Sequence, residues 1–140
     1  MIIKEISFDH WEAVHGISLS KKSDYLLSLE SIVYPKFVIE CIQLFTLGYE
    51  CKLITTLFKN LMIESTENIT VYHGKDNFYS LCTSLDKRVG MRFATSYQKL
   101  YEIIIEKGDK FLPLYKYSSC PIEQEIYLGD KHKKNVSQNF

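Results

Sequence analysis

The chain has 140 residues, in which 17 lysines and arginines balance 17 aspartates and glutamates to a formal net charge of zero. That length fits one domain with a real core and is too short for two ordinary ones. Charge neutrality argues against a domain that coats nucleic acid through a broad basic face and leaves room only for a local patch. Ten tyrosines and eight phenylalanines supply an aromatic-rich interior or cleft. The four cysteines, Cys41, Cys51, Cys82 and Cys120, form no Cys-x-x-Cys pair and sit in no metal-like His/Cys cluster. No metal is therefore expected, and the thiols read as reduced, mostly buried small hydrophobes of a cytosolic protein. The start of the chain, with Lys4 and Glu5, lacks the apolar run of a secretion signal, and no apolar stretch is long enough to span a membrane.

Along the chain, apolar residues at three- and four-residue spacings predict helices over residues 11–17 and 24–31. Ser23 or Asp24 caps the second, and Pro35 stops it or begins the next. Residues 37–47 place Val38, Cys41, Ile42 and Phe45 on one helical face, and Gly48 ends the run. Residues 53–62 repeat the pattern with Leu53, Leu57, Phe58 and Leu61. The period then changes. Residues 69–72 are β-branched and aromatic and meet the turn set His73-Gly74-Lys75-Asp76-Asn77; residues 78–84 alternate as a second strand. Residues 89–95 fit either helix or loop. Residues 100–106 read as a strand closed by Lys107-Gly108-Asp109, residues 111–114 as a short strand, residues 115–121 as a loop, and residues 123–128 as a final strand. Helices first and strands after predict an α+β domain with a mostly antiparallel sheet over residues 1–130. The polar, basic residues 131–140 are expected to form a disordered tail. There is no internal repeat and no linker.

Three constellations carry chemistry. In a strand, Glu123 and Glu125 of Ile122-Glu123-Gln124-Glu125-Ile126-Tyr127-Leu128 share one face, with Gln124, Ile126 and Leu128 on the other. Two such carboxylates repel unless a cation fits between them, and an oxocarbenium-like ribosyl transition state is one such partner. The same spacing fits an edge strand with a solvated acidic face. Cys82 and Ser84 of Leu81-Cys82-Thr83-Ser84 share a strand face that can line a cleft, although small polar residues are ordinary at strand ends. Arg88 and Arg92 are the only arginines. They offer planar forks suited to a diphosphate, and they also fit a solvated helical turn.

Taken together, these segments resemble the ADP-ribosyltransferases of the arginine-serine-glutamate type. Ile42-Gln43-Leu44-Phe45-Thr46-Leu47-Gly48-Tyr49, continuing to Leu53, resembles the helix pair that closes the nicotinamide side of the cleft. Val71-Tyr72-His73-Gly74 resembles the first core strand, where the family usually has Tyr-Arg-Gly. Leu81-Cys82-Thr83-Ser84-Leu85, followed by Met91-Arg92-Phe93-Ala94, resembles the Ser-Thr-Ser block and its downstream Phe. Pro121-Ile122-Glu123-Gln124-Glu125-Ile126 resembles the Glu-x-Glu strand. The likeness runs over residues 37–129. Two positions depart from it. His73 replaces the usual arginine and is similar to the histidine of the diphtheria-toxin and poly-ADP-ribose polymerase branch, with Arg92 near the place of that branch's tyrosine. Cys82 replaces the first serine, and a thiol donates hydrogen bonds weakly.

The resemblance implies a split antiparallel β-sandwich with N-terminal helices and an activity that moves ADP-ribose from NAD⁺ to a macromolecule, releasing nicotinamide. NAD⁺ is implied as substrate, with no metal. Glu125 would stabilise the oxocarbenium and Glu123 would orient or deprotonate the acceptor. Cys82 and Ser84 would complete the catalytic block. His73, Gly74, Thr83, Arg88, Arg92 and Phe93 would hold NAD⁺, with Gly74 letting the cofactor amide meet the backbone. Tyr115 and Tyr117 would select the target. The implied acceptor is protein arginine, with RNA or DNA bases as the alternative; a catalytically silent NAD-binding or partner-binding module is the reading from a different class. The expected setting is the cytoplasm of a bacterial host, as a phage effector or a toxin with an antitoxin or immunity partner.

Overall fold

The computed structural model describes residues 1–16 and 21–131. In chain order they form β1 (Ile2–Ile6), α1 (His10–His15), α2 (Asp24–Ser28) running into a 3-10 turn (Leu29–Ser31), α3 (Lys36–Thr46) and α4 (Lys52–Leu61). There follow β2 (Ile63–Glu64), β3 (Ile69–Gly74), β4 (Ser80–Ser84), α5 (Lys87–Phe93), β5 (Leu100–Ile105), β6 (Lys110–Pro113), a second 3-10 turn (Pro121–Glu123) and β7 (Glu125–Asp130). The seven strands make one sheet in the order β1-β5-β3-β4-β7-β6-β2, with every pairing antiparallel. The molecule is therefore a mixed α+β fold. Among the described residues, no helix is long and apolar enough to cross a membrane.

Strand alternation sorts the core into layers. Ile69 and Val71 of β3, Tyr101, Ile103 and Ile105 of β5, Phe111 of β6, and Ile126 and Leu128 of β7 pack together with Leu26 of α2. The intervening Leu112 and Tyr127 face the other way, against Val38, Ile42 and Phe45 of α3 and Ile54 and Phe58 of α4. A third cluster joins Ala13 of α1 to Met91 and Ala94 at α5 and to Leu100 of β5. Phe45, Phe58 and Tyr127 meet edge-on with ring centroids 5.0–5.8 Å apart, a favourable quadrupole arrangement. Pro35, whose missing N–H suits a helix start, leads into α3, and Gly48 at φ 105° ends it. Asp86 caps α5 by accepting the Arg88 amide at 2.9 Å, which settles the ambiguous residues 89–95 as helix up to Phe93.

Several expectations are corrected. The inward face of α4 is Ile54, Thr55 and Phe58, while Leu53 is 80% exposed. The edge strand β1 was not read, because Lys4-Glu5 interrupts its alternation and only β5 pairs with it. The second strand starts at Ser80 and the last at Glu125. Lys131, assigned to the tail, is buried, and its ammonium pairs with Asp76. Residue 17 of the first predicted helix and residues 132–140 of the tail lie outside the described residues.

The pairing is thinnest at the centre of the sheet. β3 and β5 share six partner pairs, whereas β3 and β4 share only Tyr72↔Ser84. The strands part there, and a cavity opens at that place.

Candidate functional site

The cavity measures about 390 Å³, within the range of small-molecule sites. Its floor is Tyr72 and Gly74 of β3 with Cys82, Thr83 and Ser84 of β4. One wall is the α5 face of Val89, Gly90 and Phe93; the other is the end of α3 from Phe45 to Gly48. Glu50, Asp76, Phe78, Cys120, Glu123 and Glu125 complete it.

Two glycines bring β3 and α5 together. A Cβ on Gly74 would lie 2.2 Å from the Gly90 carbonyl oxygen and 2.4 Å from the Ala94 amide nitrogen, and a Cβ on Gly90 would meet Tyr72 Cβ at 2.9 Å. The close approach that Gly74 permits is thus that of the α5 backbone, which fixes the wall of the cavity against its floor.

The two glutamates reach the cavity by a route other than strand alternation. Glu123 closes a 3-10 turn, Gln124 adopts the left-handed conformation (φ 45°, ψ 52°), and only then does β7 begin at Glu125. This kink carries both carboxylates to the same cavity. Ser84 holds it in place: its hydroxyl donates to the Glu123 carbonyl at 2.5 Å and accepts the Asp86 amide at 3.0 Å. The Leu85 amide donates to the Gln124 carbonyl at 3.2 Å.

The electrostatics follow from enclosure. Burial, then the charges of Glu123 and Asp76, push the Glu125 carboxyl up to about 8, although the Cys82 thiol bonds to it and pulls the other way. Burial raises Glu123 as well, opposed by the nearby Arg92 guanidinium. Burial and the Glu125 charge hold the Cys82 thiol well above its ordinary value, so it serves as a neutral donor rather than a nucleophile. Among the described residues, four carboxylates border the cavity and no cationic side chain does. Two of the four are committed: Glu50 accepts the Tyr79 and Ser80 amides at 2.7 and 2.6 Å, and Asp76 pairs with Lys131. Glu123 and Glu125 are left facing the space.

Of the residues singled out from sequence, Gly74, Cys82, Thr83, Ser84, Phe93, Glu123 and Glu125 border one cavity. Thr83 turns its hydroxyl away, to the Ile126 carbonyl at 3.0 Å. Five do not line the cavity. His73 sits on the opposite face of β3 from Tyr72 and Gly74, 1% exposed, stacked on Tyr101 and bonded through Nδ1 to the Cys82 carbonyl at 2.6 Å. Burial lowers its pKa, so the neutral Nδ1–H tautomer donates, tying β3 to β4 where ladder bonds are few. Tyr115 is a core residue whose hydroxyl donates to the Leu26 carbonyl at 2.7 Å. Tyr117 packs on Tyr34 and donates to the Ile32 carbonyl at 3.3 Å. Both tyrosines anchor their loop to the N-terminal helical segment instead of reaching outward. Arg92 is exposed beside Glu123, and Arg88 is half-buried with its Nε bonded to no group among the described residues.

Sequence reasoning missed Tyr72, Glu50, Asp76, Val89, Gly90 and Cys120. Tyr72 was within reach, being two residues from Gly74 on the same strand face. The others come from turns and from a helix whose orientation no local pattern encodes. No protein-family model, no curated protein and no solved structure matches this chain.

Proposed function

We propose that the protein is an NAD⁺-dependent mono-ADP-ribosyltransferase working in the cytoplasm, its sheet parted between β3 and β4 in the manner of the split sandwich of that family. The observation that carries the reading is the carboxylate pair, Glu125 with Glu123, in a cavity that no side-chain cation lines among the described residues. Such a pair is relieved by a positive charge delivered from outside. The charged nicotinamide ring of NAD⁺ brings one, and a second develops at ribose C1′ as the C1′–nicotinamide bond breaks and its electron pair leaves with nicotinamide. Glu125 stabilises that oxocarbenium, held by Cys82 below and by the bend that Ser84 braces. Glu123, nearer the mouth, steers the acceptor and takes its proton as the acceptor bonds to C1′. Phe93 and Tyr72 offer the flat apolar surfaces that a nicotinamide ring packs against, and Arg92, exposed near Glu123, offers a planar fork suited to a diphosphate.

The test is release of nicotinamide from NAD⁺ by the purified protein and by its Glu125→Gln variant. Loss of roughly 10²–10³-fold in turnover with NAD⁺ binding retained is the expected scale for removing one electrostatic group of this kind. Equal turnover by the two proteins overturns the reading. Binding of NAD⁺ with no turnover by either assigns a silent binding module.

A further inference from the structure

Although the chain is neutral as a whole, residues 87–101 carry Lys87, Arg88, Arg92 and Lys99 and no carboxylate. Lys75 joins them. Its amide donates to the Lys99 carbonyl at 2.9 Å and its ammonium lies 5.5 Å from the centroid of the Tyr97 ring, whose hydroxyl bonds to Asn77. The turn after β3 and the loop after α5 therefore form one continuous face. None of these five cations makes an ion pair among the described residues. Of the carboxylates beside them, Asp76 and Glu50 are occupied, Asp86 caps α5 through the Arg88 amide, and Glu123 lies by Arg92. That leaves Lys75, Lys87 and Lys99 as the free cations of the face among the described residues. Four aromatic rings are exposed on the same two segments: Phe78 at 43%, Tyr79 at 48%, Phe93 at 47% and Tyr97 at 40%. Phe78 and Phe93 also border the cavity, so the face runs up to its mouth.

We propose that this face receives a single-stranded nucleic acid and that a base splayed from the strand is the acceptor, an inference that rests on the transferase reading. Lysines without ion pairs, Lys75, Lys87 and Lys99, suit phosphates, and exposed rings suit unstacked bases, which is the combination single strands need. The same cations repel an arginine-rich peptide. A duplex keeps its base amines stacked inside and presents them only after extrusion. In the reaction, an exocyclic base amine bonds to C1′ of the nicotinamide-bearing ribose as the bond to nicotinamide breaks. The nitrogen loses a proton through Glu123 to solvent. NAD⁺ and the base give ADP-ribosyl base, nicotinamide and one proton.

The experiment is fluorescence anisotropy with labelled single-stranded RNA and DNA of about 20 nucleotides, long enough to cover such a site, with a duplex of the same sequence and with an arginine-rich peptide. NAD⁺ hydrolysis and transfer of labelled ADP-ribose to each of these acceptors are measured alongside. Single strands bind tightest, and affinity falls with salt by a log–log slope of about −2 to −3, the release expected for three or four phosphate contacts. Lys75→Glu with Lys99→Glu, and separately Tyr97→Ala, weaken strand binding about tenfold or more, in line with losing phosphate and stacking contacts, and leave NAD⁺ hydrolysis unchanged. The salt slope of the parent protein does not depend on how the variants fold. Strand binding insensitive to salt or to charge reversal overturns the proposal, as does tighter binding or modification of the peptide. Strand binding by a protein that does not consume NAD⁺ removes the transferase reading and keeps the face; NAD⁺ consumption with transfer only to the peptide does the reverse.

Discussion

On the transferase reading, Glu125 joins chemistry to proton binding. Its carboxyl is held up to about 8, chiefly by burial, so the free protein carries it protonated at neutral pH. A ligand with a cationic ring favours the ionised form, and its binding must release that proton. The apparent affinity for NAD⁺ therefore rises as pH increases through the neutral range and levels off above about 8, by up to roughly tenfold per pH unit where one full proton is released. Calorimetric titration of NAD⁺ from about pH 6 to about pH 9, in buffers of differing ionisation enthalpy, reads both the affinity and the proton count. Glu125→Gln should abolish both dependences. A flat profile in the parent would place the cationic ring away from Glu125. The Glu-x-Glu spacing made this residue visible in the sequence; its raised pKa was not, because burial depends on α3, α5 and β4 converging on it.

The bend from Pro121 to Glu125 decides where the Glu123 carboxylate points. Alternation in an uninterrupted strand would have put Glu123 and Glu125 on one face by the period-2 rule, and that was the sequence expectation. The bend brings them together by other means, through a left-handed residue that carries a side chain. A non-glycine residue there costs on the order of 1 kcal/mol, and more when β-branched. Gln124→Gly should therefore keep the fold with stability unchanged or slightly raised, and Gln124→Val should lose about 1–2 kcal/mol. Chemical denaturation of both variants checks the sign. If Val is tolerated as well as Gly, Gln124 is not held left-handed in solution. No residue type in Pro-Ile-Glu-Gln-Glu announces the bend, since glutamine rarely adopts positive φ. What imposes it is tertiary: the Ser84 hydroxyl bond to the Glu123 carbonyl and the Leu85 amide bond to that of Gln124.

At the scale of the whole molecule, the change from mostly helix before Met62 to mostly strand after it was legible, because the apolar period shifts from three-and-four to two near that boundary. The leading strand β1 breaks that expected order, and the sequence of α5 fits either helix or loop. The strand order was not legible. β1 takes the edge beside β5, and β4 takes β7 rather than β5 as its second neighbour, pairings between residues far apart in the chain. That order leaves β3 and β4 joined by one partner pair and makes the central opening, so the cavity belongs to the topology and not to any motif. Such an opening has a thermodynamic consequence. A carboxyl whose pKa is about 8 folded and near 4.5 unfolded binds more protons in the native state, so its contribution to stability is fully present below about 4.5. The contribution declines as pH rises and is lost as pH passes through about 8, the sign opposite to that of an ion-paired carboxylate. The full span amounts to a few kcal/mol, a large share of the margin by which a domain of this size is folded. Glu125→Gln should thus match the parent near pH 5 and exceed its melting temperature near pH 8, on the order of 5 °C or more, with the gap opening between the two. Melting curves of parent and variant across that range decide it. Parallel curves would mean that Glu125 is as solvated when folded as when unfolded. A gap that opens with pH would identify Glu125 as a residue the folded chain holds at a loss.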